Sequence, residues 1–295
     1  MQDLDRKRTR RAQFAALVLG AVLPLQASAF EWSDNTVGWR YGTKFGEPYN
    51  PNDIAKNIFS YTHVDGWKYG SNFLNIDWLL SDDKDPKDCT GGVCTGKAQE
   101  IYLVYRGTLS LNKVSGHDYK WGPVRDWGAT FGIDLNHKDD AGYNSRKRMF
   151  VLGPRVMFDV PGFLDVGVYA LWESNAPCST YPGGTCTPRY RYDTHPALDI
   201  TWGIPLGSSN FFFQGYLDYI ASKGLDEFGQ PTAPETHLDA AIMYDVGAAM
   251  GSEKNRFKVG VGYEWWRNKF GNPYKGPAGP GAFTKTPMVR AEIHF

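Results

Sequence analysis

Charged and aromatic side chains recur at every second position along many segments of this chain of 295 residues. Guanidinium and carboxylate groups can hydrogen-bond to hydroxyl groups and ring nitrogens, and aromatic faces can stack on a flat ring or a sugar. Such a set binds a small polar solute without covalent chemistry. The residues predicted to contact the solute are Arg106, Arg155, Tyr169, Asp199, Tyr216, Asp239, Glu264 and Arg290.

The remaining positions of the same segments are apolar. In segment 71–80, Ile76 and Trp78 lie on one face, and Asn75 and Asp77 lie on the other. A period of two over such lengths indicates a β-strand, and helical spacing fails there. Twelve strands are predicted, at about 35–41, 56–63, 71–80, 99–111, 124–136, 148–160, 163–174, 189–204, 209–221, 235–247, 255–268 and 285–295.

The last strand alternates from Val289 to the aromatic terminus Phe295. Strands with one apolar and one charged face suit a barrel that sits in lipid and holds water. We therefore predict an all-β, monomeric, 12-stranded antiparallel transmembrane β-barrel. The alternative is a soluble sandwich or barrel, whose apolar face would point inward. Long strands with aromatic ends favour the membrane form.

The predicted connections alternate in length, which is typical of short periplasmic turns and long extracellular loops. Both termini are then periplasmic. Joins after even strands are mostly short, as at 161–162 and 205–208, with 112–123 as a longer exception. The predicted long loops are 42–55, 81–98, 137–147, 175–188, 222–234 and 269–284.

Residues 1–29 have the three parts of an export signal. Basic residues 6–11 precede an apolar stretch at 14–25, and Ala27-Ser28-Ala29 resembles a cleavage site. A short amphipathic surface helix is the alternative. The chain is thus divided into a signal peptide, 1–29, and a barrel, 30–295, which indicates export to the outer membrane of a Gram-negative bacterium.

Removal of the signal peptide leaves a nearly balanced charge. Residues 1–29 contain five basic and two acidic groups, so 27 basic and 30 acidic groups remain of the 32 of each kind. This balance does not favour nucleic-acid binding.

The four cysteines form two short-range pairs, Cys89 with Cys94 and Cys178 with Cys186. An exported protein meets an oxidising compartment, so two disulfides are predicted, each inside one long loop. The alternative is a site with four thiolates for a metal. Its spacing is unfavourable, and no histidine lies close in sequence.

Acidic side chains outnumber basic ones on the face predicted to line the lumen. Such a wall disfavours phosphate-bearing solutes and tolerates neutral or cationic ones. A salt-bridge network that plugs the lumen is the alternative. The acidic candidates are Asp77, Glu100, Asp126, Asp134, Asp159, Asp165, Glu173, Asp193, Asp199, Asp218, Asp239, Asp245, Glu264 and Glu292; the basic ones are Arg40, Arg106, Arg155, Arg191, Lys258 and Arg290.

Four segments carry a resemblance to a known family: 37–46, 150–163, 194–198 and 266–272, the last reading Trp-Arg-Asn-Lys-Phe-Gly-Asn. Together they resemble the nucleoside-specific channel-forming (Tsx-like) outer-membrane proteins, in the branch called outer envelope proteins. The resemblance spans about 35–295. It implies a monomeric twelve-stranded channel for passive diffusion of nucleosides and related small solutes. It carries over no individual nucleoside-contacting residue.

Several other functions compete with this one. A channel for other small neutral or cationic solutes and a structural or receptor barrel both remain open. An outer-membrane lipid hydrolase would need an outward Ser beside a His, and no Gly-x-Ser-x-Gly motif is present. We therefore expect no enzyme activity, no cofactor and no metal. The acidic segment 82–85 lacks the spacing of a calcium loop.

Overall fold

The computed structural model describes residues 30–295, so the predicted signal peptide lies outside the described residues. The chain forms long antiparallel strands joined in sequence order. The strands are β1 (Phe30–Glu47), β2 (Asn50–Trp67), β3 (Gly70–Ser81), β4 (Gln99–Ser110), β5 (Val124–Lys138), β6 (Arg148–Phe158), β7 (Phe163–Asn175), β8 (Tyr190–Arg191), β9 (His195–Pro205), β10 (Phe211–Ile220), β11 (Glu235–Asp245), β12 (Phe257–Arg267) and β13 (Phe283–His294).

The sheet closes on itself, because the first strand pairs with the last. Arg40 on β1 lies beside Arg290 on β13, and each further strand pairs antiparallel with its neighbour. The two-residue β8 only extends the edge of β7, so twelve strands form the closed wall. The prediction of a 12-stranded antiparallel barrel is confirmed. The predicted strand 189–204 is divided, and its barrel part begins at His195.

The barrel is apolar outside and charged inside. On the outer wall, Val37, Ile101 and Val261 expose 48%, 53% and 62% of their surface. Their strand neighbours Arg40 and Glu100 take the inward positions that the register assigns to lumen-lining residues. Exposed aliphatic side chains on every strand of a soluble barrel would be costly, whereas a lipid-facing band requires them.

The connections define two ends of the barrel. The long-loop end has the loops 82–98, 139–147, 176–194, 221–234 and 268–282. The short-turn end has 68–69, 111–123, 159–162, 206–210 and 246–256. The predicted first long loop, 42–55, is wrong: β1 and β2 continue through it and meet in a tight turn at Pro48 and Tyr49. A register shift between Gly42 and Phe45 keeps Phe45 inside the barrel.

Short helices occupy some of the connections. Helix α1 (Leu111–Ser115) follows β4, and α2 (Val246–Ala249) follows β11; the side chains of Ser110 and Asp245 cap their first turns. Single 3₁₀ turns lie at Thr90–Gly92, Lys269–Gly271 and Pro280–Ala282. Within residues 30–295, no helix has the length and apolar character needed to cross a membrane.

Both predicted disulfides are present. Cys89–Cys94 closes a segment of the loop 82–98, and Cys178–Cys186 closes a segment of the loop 176–194. Both loops lie at the long-loop end, as expected. They also contact each other, since the backbone amide of Cys89 donates to Oγ1 of Thr180 at 3.2 Å.

Candidate functional site: the barrel interior

The first group of inward charges joins three strands around Asp239. Arg290 on β13 and Arg40 on β1 both donate to the Asp239 carboxylate on β11, Arg40 at 3.3 Å. Arg40 also pairs with Asp77 on β3. Asp239 is 2% exposed. A carboxylate so removed from water is stable only when paired in this way, so the group is structural as well as charged.

A second group lies on β4 and β5. Nη1 of Arg106 donates to Asp134 at 2.5 Å, and the Tyr102 hydroxyl donates to the same carboxylate at 3.3 Å. The Arg106 side chain keeps 19% of its surface accessible. It is therefore among the inward cations that water still reaches.

A third group surrounds Arg155 on β6. Its Nε lies 3.2 Å from Asp165, and its Nη2 donates to Thr201 at 2.6 Å. The Tyr169 hydroxyl lies 3.4 Å from both the Arg155 guanidinium and the Asp199 carboxylate. The group thus joins β6, β7 and β9 and combines a cation, two carboxylates and two hydroxyls, which can recognise hydroxyl groups of a solute.

Glycines let these long side chains lie flat along the wall. A Cβ at Gly132 would come within 2.7 Å of Cδ of Arg106, and one at Gly167 within 2.1 Å of the Tyr169 hydroxyl. A Cβ at Gly262 would come within 2.2 Å of Nε of Arg290. Absence of a side chain at a strand glycine permits this close approach.

Aromatic rings in the lumen are largely covered by other side chains. The ring of His237 stacks on Trp266 with centroids 3.9 Å apart, and Nζ of Lys269 lies 4.8 Å from the Trp266 ring. Nζ of Lys258 lies 4.5 Å from the Phe212 ring. A solute ring could stack on these aromatic faces only after displacing their present neighbours.

Two apolar clusters also fill parts of the interior. The first contains Phe45, Ile54, Ile58 and Met288, on β1, β2 and β13. The second consists of inward residues on β6, β7 and β9, and it lies across the lumen from the first; its members are Met149, Val151, Tyr169, Leu171 and Ala197. The lumen of this twelve-stranded barrel is therefore partly filled by side chains.

All eight residues predicted to contact a solute lie on inward-facing positions. The register places each of them on the lumen side of its strand. Arg106, Arg155, Asp199 and Tyr216 retain contact with water, and the other four are buried, each at most 8% exposed: Tyr169, Asp239, Glu264 and Arg290. A solute could contact those four residues only if the lumen were more open than it is in this structure.

Three of the other predicted lumen charges lie elsewhere. Asp159 is in the short turn 159–162, where it pairs with Lys120; that ammonium donates to the carboxylate and lowers the pKa of Asp159. Arg191 lies on the two-residue β8 and Asp193 follows it, both between β7 and β9 and outside the twelve-stranded closed wall. Period-two counting placed them inward because it was continued past the true ends of the strands.

The long loops pack against one another over the long-loop end. Glu227 accepts hydrogen bonds from the hydroxyl of Tyr143 and, at 2.6 Å, from that of Tyr192. Burial, followed by the charge of Glu227, raises the pKa of Tyr143 well above its usual value. Burial and neighbouring charges also raise the pKa of Tyr192. These phenols hold the loops 139–147, 176–194 and 221–234 together.

Comparison with known proteins finds similarity in structure alone. No protein-family model and no curated protein matches the chain. The translocator domain of the autotransporter NalP from Neisseria meningitidis is 13% identical, with 98% of each chain covered and a TM-score of 0.46. The KdgM porin is 10% identical over 88% of this chain and 99% of its own, with a TM-score of 0.42.

A third structure is a mutant of the monoaromatic hydrocarbon channel TodX. It is 7% identical over 89% of this chain and 88% of its own, with a TM-score of 0.34. Similarity at this level does not bear on function. The resemblance to the nucleoside-channel family therefore stays a prediction.

Sequence reasoning missed several inward charges at the long-loop end, and those around Glu47 are an example. Glu47 is buried and contacts Lys56 at 2.5 Å, Lys269 at 3.1 Å and Lys138 at 3.4 Å. Glu47 and Lys269 fell in segments predicted to be loops. Glu47 is the last residue of β1, in a stretch predicted to be a loop. Lys269 reaches the lumen from a 3₁₀ turn, where alternation gives no signal.

Proposed function

We propose that the chain is an outer-membrane channel for passive diffusion of small solutes. The observation that carries this proposal is a closed wall that is apolar outside and lined with ion pairs inside. Only hydrocarbon suits the outer face, and a charged inner face suits water and polar solutes. Passage involves no covalent step and no cofactor, and the barrel works as a monomer exported by the signal peptide.

Nucleosides are the favoured solutes. Carboxylates paired with guanidinium groups offer acceptors and donors to hydroxyl and base groups, while the excess of acidic side chains disfavours a phosphate. The resemblance of segments 37–46 and 266–272 to nucleoside-specific channels supports the same class. The accessible residues Arg106, Arg155, Asp199 and Tyr216 are proposed to make the first contacts.

The test is single-channel recording from the full-length protein in planar bilayers. Current should fall when adenosine is added and should be unaffected by AMP at the same concentration. Replacement of Arg106 by Gln should weaken the adenosine effect. The exposed Lys84→Gln on the loop 82–98 is the matched control and should leave the adenosine effect unchanged. Conducting protein that responds to no nucleoside would reject nucleosides as the cargo.

A second candidate function is a structural or receptor barrel without transport. It is favoured by the burial of Tyr169, Asp239, Glu264 and Arg290, which fill the lumen instead of lining an open pore. A barrel of this kind would carry no single-channel current above the bilayer background. That outcome, obtained with correctly folded protein, would replace the channel proposal.

A further inference from the structure

Lys269 occupies a binding site that suits a primary ammonium group. Its Nζ donates to the Gly46 carbonyl at 2.9 Å and to the Glu47 carboxylate at 3.1 Å. The same nitrogen lies 4.8 Å from the Trp266 ring and 5.2 Å from the Phe270 ring. Lys269 is only 4% exposed, so these groups replace the water that the ammonium would otherwise bind.

The composition of this site is selective for an ammonium that carries N–H groups. A lysine ammonium has three donors and no acceptor, and here a carbonyl and a carboxylate accept from it. Aromatic faces attract the charge itself, more strongly when water is excluded. A quaternary ammonium would keep the attraction to the rings and lose both hydrogen bonds.

The local backbone bends sharply to bring Lys269 into this site. Asn268 and Phe270, its two neighbours, have φ values of 54° and 59°. Left-handed backbone in a bulky residue such as Phe270 costs about 1–2 kcal/mol. Such a conformation persists only where the surrounding contacts favour it, and the buried ammonium supplies those contacts.

The same contact holds a loop over the barrel. The loop 268–282 begins at this site and continues above the β1–β2 turn, where the Tyr49 amide donates to the Ala278 carbonyl at 2.8 Å. Ala278 and Ala282 are buried there. Glu47 simultaneously contacts Lys138 on β5, so a single carboxylate connects the loop to a strand four positions around the wall.

We propose that Lys269 is an internal ligand that closes the long-loop end, and that the site accepts a primary alkylammonium ion when Lys269 is absent. Without Lys269 the loop 268–282 loses its ammonium contact with β1 and keeps the backbone hydrogen bond between Tyr49 and Ala278. A soluble amine in the emptied site replaces the lost donor to Glu47. The predicted effect on current depends on the channel function proposed above, whereas ligand binding does not.

The experiment compares Lys269→Ala with Lys275→Ala in the full-length protein refolded in detergent. Lys275 lies in the same loop and does not contact Glu47, which makes it the matched control. Butylammonium binding is measured by calorimetry, with tetramethylammonium as the probe that lacks N–H groups. We expect butylammonium to bind Lys269→Ala at least about tenfold more tightly than it binds wild type or the control. Tetramethylammonium should bind Lys269→Ala more weakly than butylammonium does, because it keeps the attraction to the rings and lacks N–H donors.

Single-channel current provides the second measurement. Lys269→Ala should conduct more than wild type, and butylammonium should reverse the increase. Absence of butylammonium binding, or equal binding to Lys275→Ala, would overturn the proposal. Lys269→Ser, which also leaves the ammonium position empty, replaces the alanine variant if that variant fails to fold. Binding in a protein that never conducts would support the site and reject the channel function.

Discussion

Arg290 on β13 reaches across β12 to bind Asp239 on β11. The strand between them carries Gly262 on its inward face, and a Cβ at that position would lie 2.2 Å from Nε of Arg290. The missing side chain leaves a path along the wall, and the guanidinium occupies it. The ion pair between Arg290 and Asp239 joins two strands that are not neighbours. It depends on the absence of a side chain at Gly262 on the strand between them.

Replacement of Gly262 by Ala should therefore destabilise the barrel. The new methyl group displaces Arg290 and leaves the buried Asp239 with Arg40 as its remaining partner, at a cost of about 1–3 kcal/mol. Urea unfolding in lipid vesicles, followed by tryptophan fluorescence, measures the change in unfolding free energy. Gly142→Ala is the control, because its Cβ would meet no atom closer than 3.4 Å. Equal stability of the Gly262→Ala variant and wild type would contradict the role assigned to this glycine.

Replacement of Asp239 by Asn should change the charge selectivity of the channel. The carboxylate balances Arg40 and Arg290, so its neutralisation makes this level of the lumen more positive. The cation-to-anion permeability ratio should fall, as measured by the reversal potential in a salt gradient. Asp53→Asn, at an exposed position close to the β1–β2 turn, changes the net charge equally and should leave the ratio unchanged. A ratio that stays constant in Asp239→Asn would place the ion path away from this group.

Alkaline titration should reveal two tyrosines of the long loops that resist ionisation. Tyr143 and Tyr192 both donate to Glu227, and their pKa values are raised in the folded state. Their contribution to stability is complete below the unfolded-state pKa of about 10 and is lost as the pH rises above that value. Phenolate absorbance should show Tyr143 and Tyr192 ionising at lower pH in Glu227→Gln than in wild type, because the charge of Glu227 is removed while burial remains. An identical titration curve would contradict the contact between the loops.

Loss of the Cys89–Cys94 disulfide should loosen the loops and spare the barrel wall. The bridge closes a short segment and lowers the entropy of the unfolded chain, which stabilises the folded state by about 2 kcal/mol. Replacement of both cysteines by Ser should make the loop 82–98 sensitive to protease while far-ultraviolet circular dichroism stays unchanged. The loop 221–234 provides an internal control, because it is fastened through Glu227 instead. Loss of the β-sheet signal would show that the bridge supports the wall itself.

The wall was predictable because its chemistry is periodic. Segments such as 71–80 and 124–136 alternate between apolar and polar side chains. In a closed barrel the apolar set faces lipid and the polar set faces the lumen. The number of strands, the inward positions of the eight proposed contact residues and both disulfides all follow from that repetition and from the cysteine spacing. The first hairpin was missed, since Thr43, Lys44 and Pro51 interrupt the alternation that β1 and β2 nonetheless maintain by a register shift.

Sequence alone thus determined which side of each strand faces the lumen, because side-chain direction in a strand is set by counting along the chain. Only the tertiary structure decided how far the lumen is filled, since that depends on which side chains meet across it. Glu47 and Lys269 lie 222 positions apart in the chain and 3.1 Å apart in space. No local sequence pattern predicts this contact, because closure of the sheet brings the two residues together.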